Sequence, residues 1–237
     1  MKVSDRSQFI LRMAFVSCLV VYLYLSNYLQ VARVDALAKG ECMRDLTFEW
    51  TEKLNVYFRE HVAMREWVMI FDSATYDVGM IYFLYYFGFT KYRVTMRMLF
   101  SNALVAGTKI TFQEFVCTLG RLEGYLWFFP GFYSLNVPYF DVNDFYYSGH
   151  LGMNDSFLYE FLCASRNNPN SWHPIFAAFF IVSAFTKSLM MVVFRTHYFI
   201  DLIAGLYIGL PILHISEKLC FISDVKIMGL RKHERKS

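Results

Sequence analysis

Two histidines carry the chemistry that this sequence can offer. His150 closes the stretch Asp144-Phe145-Tyr146-Tyr147-Ser148-Gly149-His150, and His197 stands in Arg195-Thr196-His197-Tyr198-Phe199-Ile200-Asp201. The four-residue spacing from His197 to Asp201 puts both on one face at the opening of a helix. A carboxylate there can accept from one ring nitrogen, fix the tautomer and leave the other nitrogen to attack. His150, arriving on a second helix, can act first as general acid and then as base, worth about 10²–10⁴ in rate. The N–H groups of Ser148 and Gly149 ahead of a helix, with Arg195 nearby, would draw an anionic phosphate. Tyr198 and Asp144 complete the candidate substrate contacts, although for Asp144, as for Glu123 and Asp155, a loop charge or inward polar group is the simpler reading.

Each histidine opens an apolar run, so the next question is what holds the two runs. The chain has 237 residues, 56 % of them apolar and 19 % aromatic, with a mean hydropathy of +0.32. That composition excludes an ordinary soluble domain. The net charge of +3 is too small to argue for nucleic acid. Cys18, Cys42, Cys117, Cys163 and Cys220 form no CxxC pair, which suggests neither zinc nor a disulfide framework. Neither a metal nor a cofactor is expected.

Apolar length predicts an all-α polytopic bundle with six membrane spans, at about 9–30, 67–89, 98–118, 150–165, 174–194 and 198–216. Residues 1–8 form an N-terminal arm, 9–217 the catalytic membrane domain and 218–237 a basic tail. A cleaved signal peptide competes for the first span, with Ala36-Leu37-Ala38 as the processing site. Between spans one and two, Leu46, Trp50, Leu54, Tyr57 and His61 recur at helical spacing. That pattern gives a helix lying in the interface with its apolar face toward lipid, or one packed across the bundle end. Asp72 and Asp77 should turn inward or sit near a helix end, because each costs roughly 2.5–3.5 kcal/mol at a lipid-facing centre. Lys109 and Lys187 should snorkel or pair within the bundle, and His173 and His214 should be interfacial or packing residues. Gly205 and Gly209 have the spacing that permits close helix packing.

Lys and Arg are more numerous on the side carrying both termini, which assigns that side to the cytosol. Spans four and six then begin on the same face, lumenal or external, so that His150 and His197 can meet.

Ser148-Gly149-His150 followed by His197-x-x-x-Asp201 resembles the type 2 phosphatidic acid phosphatase superfamily. The longer stretch Asp144–His150, with His197-Tyr198-x-x-Asp201, looks like its sphingomyelin synthase branch. The context Arg195-x-His197-Tyr198-x-Ile200-Asp201-Leu202 with Gly205 is closer still to phosphatidylcholine:diacylglycerol cholinephosphotransferases. The resemblance covers roughly residues 120–210. It implies six spans and a phosphohistidine formed on His197, oriented by Asp201, with His150 protonating the departing lipid alcohol and activating the incoming one. The superfamily's first motif, Lys-x6-Arg-Pro, is absent, since Lys91 to Arg97 is one residue short and lacks the proline. Its absence favours a transferase over a water-using phosphatase. Phe199 stands where the synthases usually carry serine or threonine.

The expected activity is transfer of a phospho-headgroup, with phosphatidylcholine as donor and diacylglycerol or ceramide as acceptor, in the endoplasmic reticulum or Golgi. A lipid phosphate phosphatase, and a lipid-binding bundle without turnover, are the alternatives.

Overall fold

The computed structural model describes residues 45–88, 92–115, 122–135, 137, 139, 147–167 and 171–222, with six single positions ahead of them. Those six (Ile10, Ala14, Ser17, Cys18, Val21 and Leu25) are helical and exposed, and the rest of the first expected span lies outside the described residues. So do Asp144, Lys91 and most of the basic tail.

Among the described residues the fold is all-α, with six further helices and no strand. They are α1 (Leu46–Glu60), α2 (Val62–Phe83), α3 (Tyr92–Phe115), α4 (Gly149–Asn167), α5 (His173–Val193) and α6 (Phe199–Ile222), with a π-helical turn over Leu84–Gly88 extending α2. Two of them, α5 and α6, are long and apolar enough to cross a membrane. Only 33 % and 39 % of their most apolar windows is buried, so most of that surface faces outward. Ile181, Val182 and Phe185 on α5, and Tyr207 and Leu210 on α6, are examples.

The expected spans two to six each coincide with a helix, and the boundaries shift for local reasons. Pro174 at the first turn of α5 donates no N–H where none is needed. The sixth helix runs past 217 to Ile222 because its inward face continues through Cys220, which is buried. The expected boundary between membrane domain and tail therefore falls inside a helix.

The core is an aromatic stack between α2, α4 and α5. Phe157 and Phe161 lie nearly parallel to Phe180, with centroids 5.2 and 5.5 Å away. Phe83 meets Phe157 edge-on. His173 belongs to this packing, 4.3 Å from the Tyr86 ring. Ion pairs cross between the helices. Lys187 on α5 binds Asp72 on α2 at 2.9 Å instead of snorkelling, and Arg97 on α3 forks onto Glu160 on α4. Asp77, nearer the end of α2, accepts from the Ser134 hydroxyl and the Leu135 N–H, and so holds the loop that precedes α4.

Helix α1 packs across the bundle end and leaves its apolar stripe outward. Leu46, Trp50, Leu54 and Tyr57 face outward, with Trp50 77 % exposed, while Phe48, Asn55 and Phe58 pack inward across the bundle end. Asn55 Nδ2 donates to the carbonyls of Gly124 and Val193, tying α1 to the loop and to the end of α5. His61 stacks on Tyr57 and its Nδ1 lies 2.8 Å from the Tyr57 carbonyl, a packing and capping role.

Candidate functional site

The site is built where α4 and α6 begin. Gly205, nearly two turns into α6, has no side chain, and a Cβ there would lie 2.8 Å from the Ser148 carbonyl oxygen and 3.2 Å from its nitrogen. That absence lets the backbone preceding α4 rest directly on α6. The contact is sealed by a hydrogen bond from Ser148 N–H to the Asp201 carbonyl, 3.0 Å. Residues 148–150 and 197–201 thus meet at one end of the bundle. No family model, curated protein or solved structure matches the chain. The reading of the site rests on its geometry.

His197 and Asp201 are both nearly fully buried, with His197 Nδ1 3.7 Å from Asp201 Oδ2. That is beyond hydrogen-bonding range, and Nδ1 has no hydrogen-bond partner. The same carboxylate oxygen accepts the Tyr198 N–H at 3.0 Å. Tyr198 precedes α6 and Asp201 lies three residues on, so the carboxylate caps its own helix in the manner of a capping box. Asp201 therefore has two claimants, the helix amide and the imidazole, and in this state the amide holds it. Catalytic hydrogen bonds are often long before substrate arrives.

His150, in the first turn of α4, is fixed through its backbone. The Tyr76 hydroxyl of α2 donates to the His150 carbonyl, and the two rings lie 6.1 Å apart. Tyr76 is itself braced by Lys187, whose ammonium sits 4.0 Å from the centre of its ring.

The remaining expected site residues fall into place differently. The Ser148 N–H is committed to Asp201 and its hydroxyl to the Met191 sulfur, so the phosphate-binding amides expected at 148–149 begin at Gly149. Tyr198 stacks on Phe48 of α1, with centroids 5.4 Å apart.

Arg195 is turned to α1. Its Nη1 donates to the Thr51 hydroxyl and the Val192 carbonyl, and its Nη2 to the Phe48 carbonyl and Glu52. The guanidinium also lies over the Phe48 ring. Arg195 has φ = 56°, the left-handed conformation in which glycine usually ends a helix. Its N–H bonds the Val192 carbonyl and the Thr196 N–H bonds the Met191 carbonyl, closing a Schellman turn on α5. A non-glycine residue bears that conformation at a cost of about 1–2 kcal/mol. The contacts to α1 are what offset it. Arg195 anchors the loop that carries His197, and its Nη donors are engaged there.

Two residues of this end were not among the expected site residues. Asp45 caps α1 through the Thr47 N–H, 2.8 Å, and with its other oxygen accepts the Phe199 N–H that opens α6, 2.7 Å. Partial burial would raise its pKa, but the Thr47 hydroxyl, the two amides and the Arg195 charge together hold it below the ordinary value. An aspartate just before a periodic apolar run was a legible cap signal for α1, whereas its bond to residue 199 was not. The second is Lys109, whose side chain crosses the open face of Gly149. Among the described residues no three His, Cys, Asp or Glu side chains gather to hold a metal.

Proposed function

We propose that the chain is a six-span membrane enzyme, of the type 2 phosphatidic acid phosphatase kind, that moves a phospho-headgroup between lipids. The observation that carries this reading is the Ser148–Asp201 bond, because it brings the His150 turn and the His197–Asp201 pair to one end of two helices. The outward apolar surface of α5 and α6 supports a membrane setting, and the excess of Lys and Arg flanking the termini supports a site on the lumenal or external face. The compartment consistent with this topology is the endoplasmic reticulum or Golgi.

The donor is phosphatidylcholine. His197 attacks phosphorus through the ring nitrogen remote from Asp201, forming an N–P bond as the P–O bond to diacylglycerol breaks. His150 gives its proton to that leaving oxygen. The carboxylate of Asp201, drawn toward Nδ1, balances the positive charge on the phosphorylated ring. In the second half, a hydroxyl of diacylglycerol or ceramide gives its proton to His150 and attacks phosphorus, and the N–P bond breaks. Atoms and protons balance over the cycle, and the histidines finish as they began.

One observation favours a second reading. Asp201 is held by its own helix and His197 Nδ1 is not bonded to it, which suits a lipid-binding bundle without turnover. The test is full-length protein in vesicles of headgroup-labelled phosphatidylcholine, offered diacylglycerol and ceramide together. Label on either acceptor is the expected result. Water-soluble label alone would make the protein a hydrolase, and no movement of label would leave the binding bundle.

A further inference from the structure

We infer that Tyr76 is a positioning residue for His150: its hydroxyl sets the turn that carries the imidazole, and with it the protonation of the departing lipid oxygen. The inference deepens the phosphotransfer reading and rests on it.

The turn at 147–150 is tied to three helices. The Tyr147 hydroxyl bonds the Val105 carbonyl and pairs with the Thr108 hydroxyl, which holds the turn to α3. The Ser148 N–H bonds the Asp201 carbonyl at 3.0 Å, which holds it to α6. Both ties precede His150 in the chain. The third falls on His150 itself, where the Tyr76 hydroxyl of α2 donates to the carbonyl. Loss of that bond would leave the turn its anchors at Tyr147 and Ser148 and free the His150 backbone to pivot about them. The Tyr76 ring also flanks the imidazole, with centroids 6.1 Å apart and planes inclined at 56°.

The hydroxyl is presented without play. Tyr76 is 3 % exposed, and a buried hydroxyl is costly to leave unbonded. Asp72 lies one turn before Tyr76 on α2, so the two share a face. Lys187, arriving from α5, grips both. Its ammonium is 4.0 Å from the centre of the Tyr76 ring and 2.9 Å from the Asp72 carboxylate, which fixes the ring.

The position of His150 matters to a particular event. As the N–P bond to His197 forms and the P–O bond breaks, His150 passes its proton to the lipid oxygen. A lipid alkoxide is a poor leaving group and needs that proton, whereas nitrophenolate departs as the anion and needs none. A fault confined to His150 therefore shows with one donor and not the other. General loosening of the bundle shows with both.

The full-length protein in lipid vesicles is offered phosphatidylcholine labelled in its diacylglycerol part, or p-nitrophenyl phosphocholine. First-turnover release of diacylglycerol and of nitrophenolate is expressed as a ratio within one preparation, which cancels any difference in folded fraction. Tyr76→Phe keeps the ring and removes the hydroxyl. It should lower the ratio about tenfold or more, part of the roughly 10²–10⁴ that a well-placed general acid is worth. His150→Ala should lower the ratio further. Tyr139→Phe removes a comparable hydroxyl bond from the same helix, to Ser73, and should leave the ratio at its wild-type value. An unchanged ratio in Tyr76→Phe or in His150→Ala, or an equal shift in Tyr139→Phe, overturns the inference and leaves the transfer itself in place. Unmutated protein that releases no diacylglycerol retires the phosphotransfer reading, and this inference with it.

Discussion

Lys187 and His197 are both buried, and each stands beside an aspartate, yet the fold treats the two pairs in opposite ways. Lys187 is closed in. Its ammonium bonds the Asp72 carboxylate at 2.9 Å and the Asp72 carbonyl at 2.6 Å, with the Tyr76 ring against it. Between His197 and Asp201 a gap of 3.7 Å remains, and the carboxylate oxygen facing the ring is taken by the Tyr198 amide. An ion pair that serves only packing is best when every donor is satisfied, since an unpaired buried charge is costly. A pair that must take up charge during a reaction needs an acceptor that can be redirected. The first arrangement braces Tyr76 and through it the backbone of His150. The second keeps a carboxylate close to an imidazole without fixing the two together.

The comparison breaks most visibly at His197, the proposed nucleophile. His197→Ala should lower headgroup transfer by about 10⁴-fold or more while leaving the melting temperature in detergent close to that of wild type. Unchanged transfer would remove His197 from the chemistry. Lys187→Met should do the reverse in kind, costing roughly 3–5 kcal/mol of stability by stranding Asp72. The double variant Lys187→Met with Asp72→Leu should recover most of that loss in the same thermal melt. If the double variant is no better than the single, the pair is not what stabilises this layer.

Asp201→Asn separates the two claims on that carboxylate. The amide oxygen can still cap α6, so stability should fall by less than about 1 kcal/mol. Loss of the charge should nonetheless cut transfer by about 10²–10⁴-fold, as expected when a histidine loses its orienting carboxylate. A stability loss with full activity would assign Asp201 to capping alone.

Smaller effects probe the clamp between α1 and the His197 loop. Arg195→Ala should cost about 2–3 kcal/mol, since it removes the contacts to α1 and keeps the left-handed backbone. Arg195→Gly should cost about 1 kcal/mol less, because glycine adopts that conformation freely. Equal losses by denaturant titration would refute the account of the turn. Asp45→Asn, which leaves one oxygen to serve two helix starts, should cost about 1 kcal/mol. The Asp45 pKa is depressed on folding, so its contribution is complete above the ordinary value of 3.8 and disappears as pH falls through the lower folded value. Stability curves of wild type and Asp45→Asn should therefore converge only in strong acid.

Helix placement was legible in the sequence because apolar length and spacing are local. The Gly205-x-x-x-Gly209 pattern correctly announced a close helix contact, with Gly205 on Ser148 and Gly209 on Asp155. Lys187 left two possibilities open, and the position of Asp72 one helix away decided between them. The site was legible in its residue types but not in its connections. Nothing near Arg195 reveals that its guanidinium reaches Phe48, Thr51 and Glu52, more than 140 positions earlier in the chain. Nor does Lys109 announce Gly149, because that pairing exists only once Tyr147 has locked α3 against α4. The capping competition at Asp201 was readable in principle, since a carboxylate three residues into a helix is placed to hold the first amide. The i,i+4 spacing to His197 drew attention away from it.

The carbonyl of Ser148 that rests on Gly205 also accepts the Gly152 N–H, closing the first turn of α4. It cannot step aside for a methyl group at 205 without unwinding that turn. The joint between the two helices consequently has no slack, and any change in the spacing of residues 148–150 and 197–201 must come from outside it. The seam between α4 and α6 should therefore be the part of the bundle least tolerant of added volume.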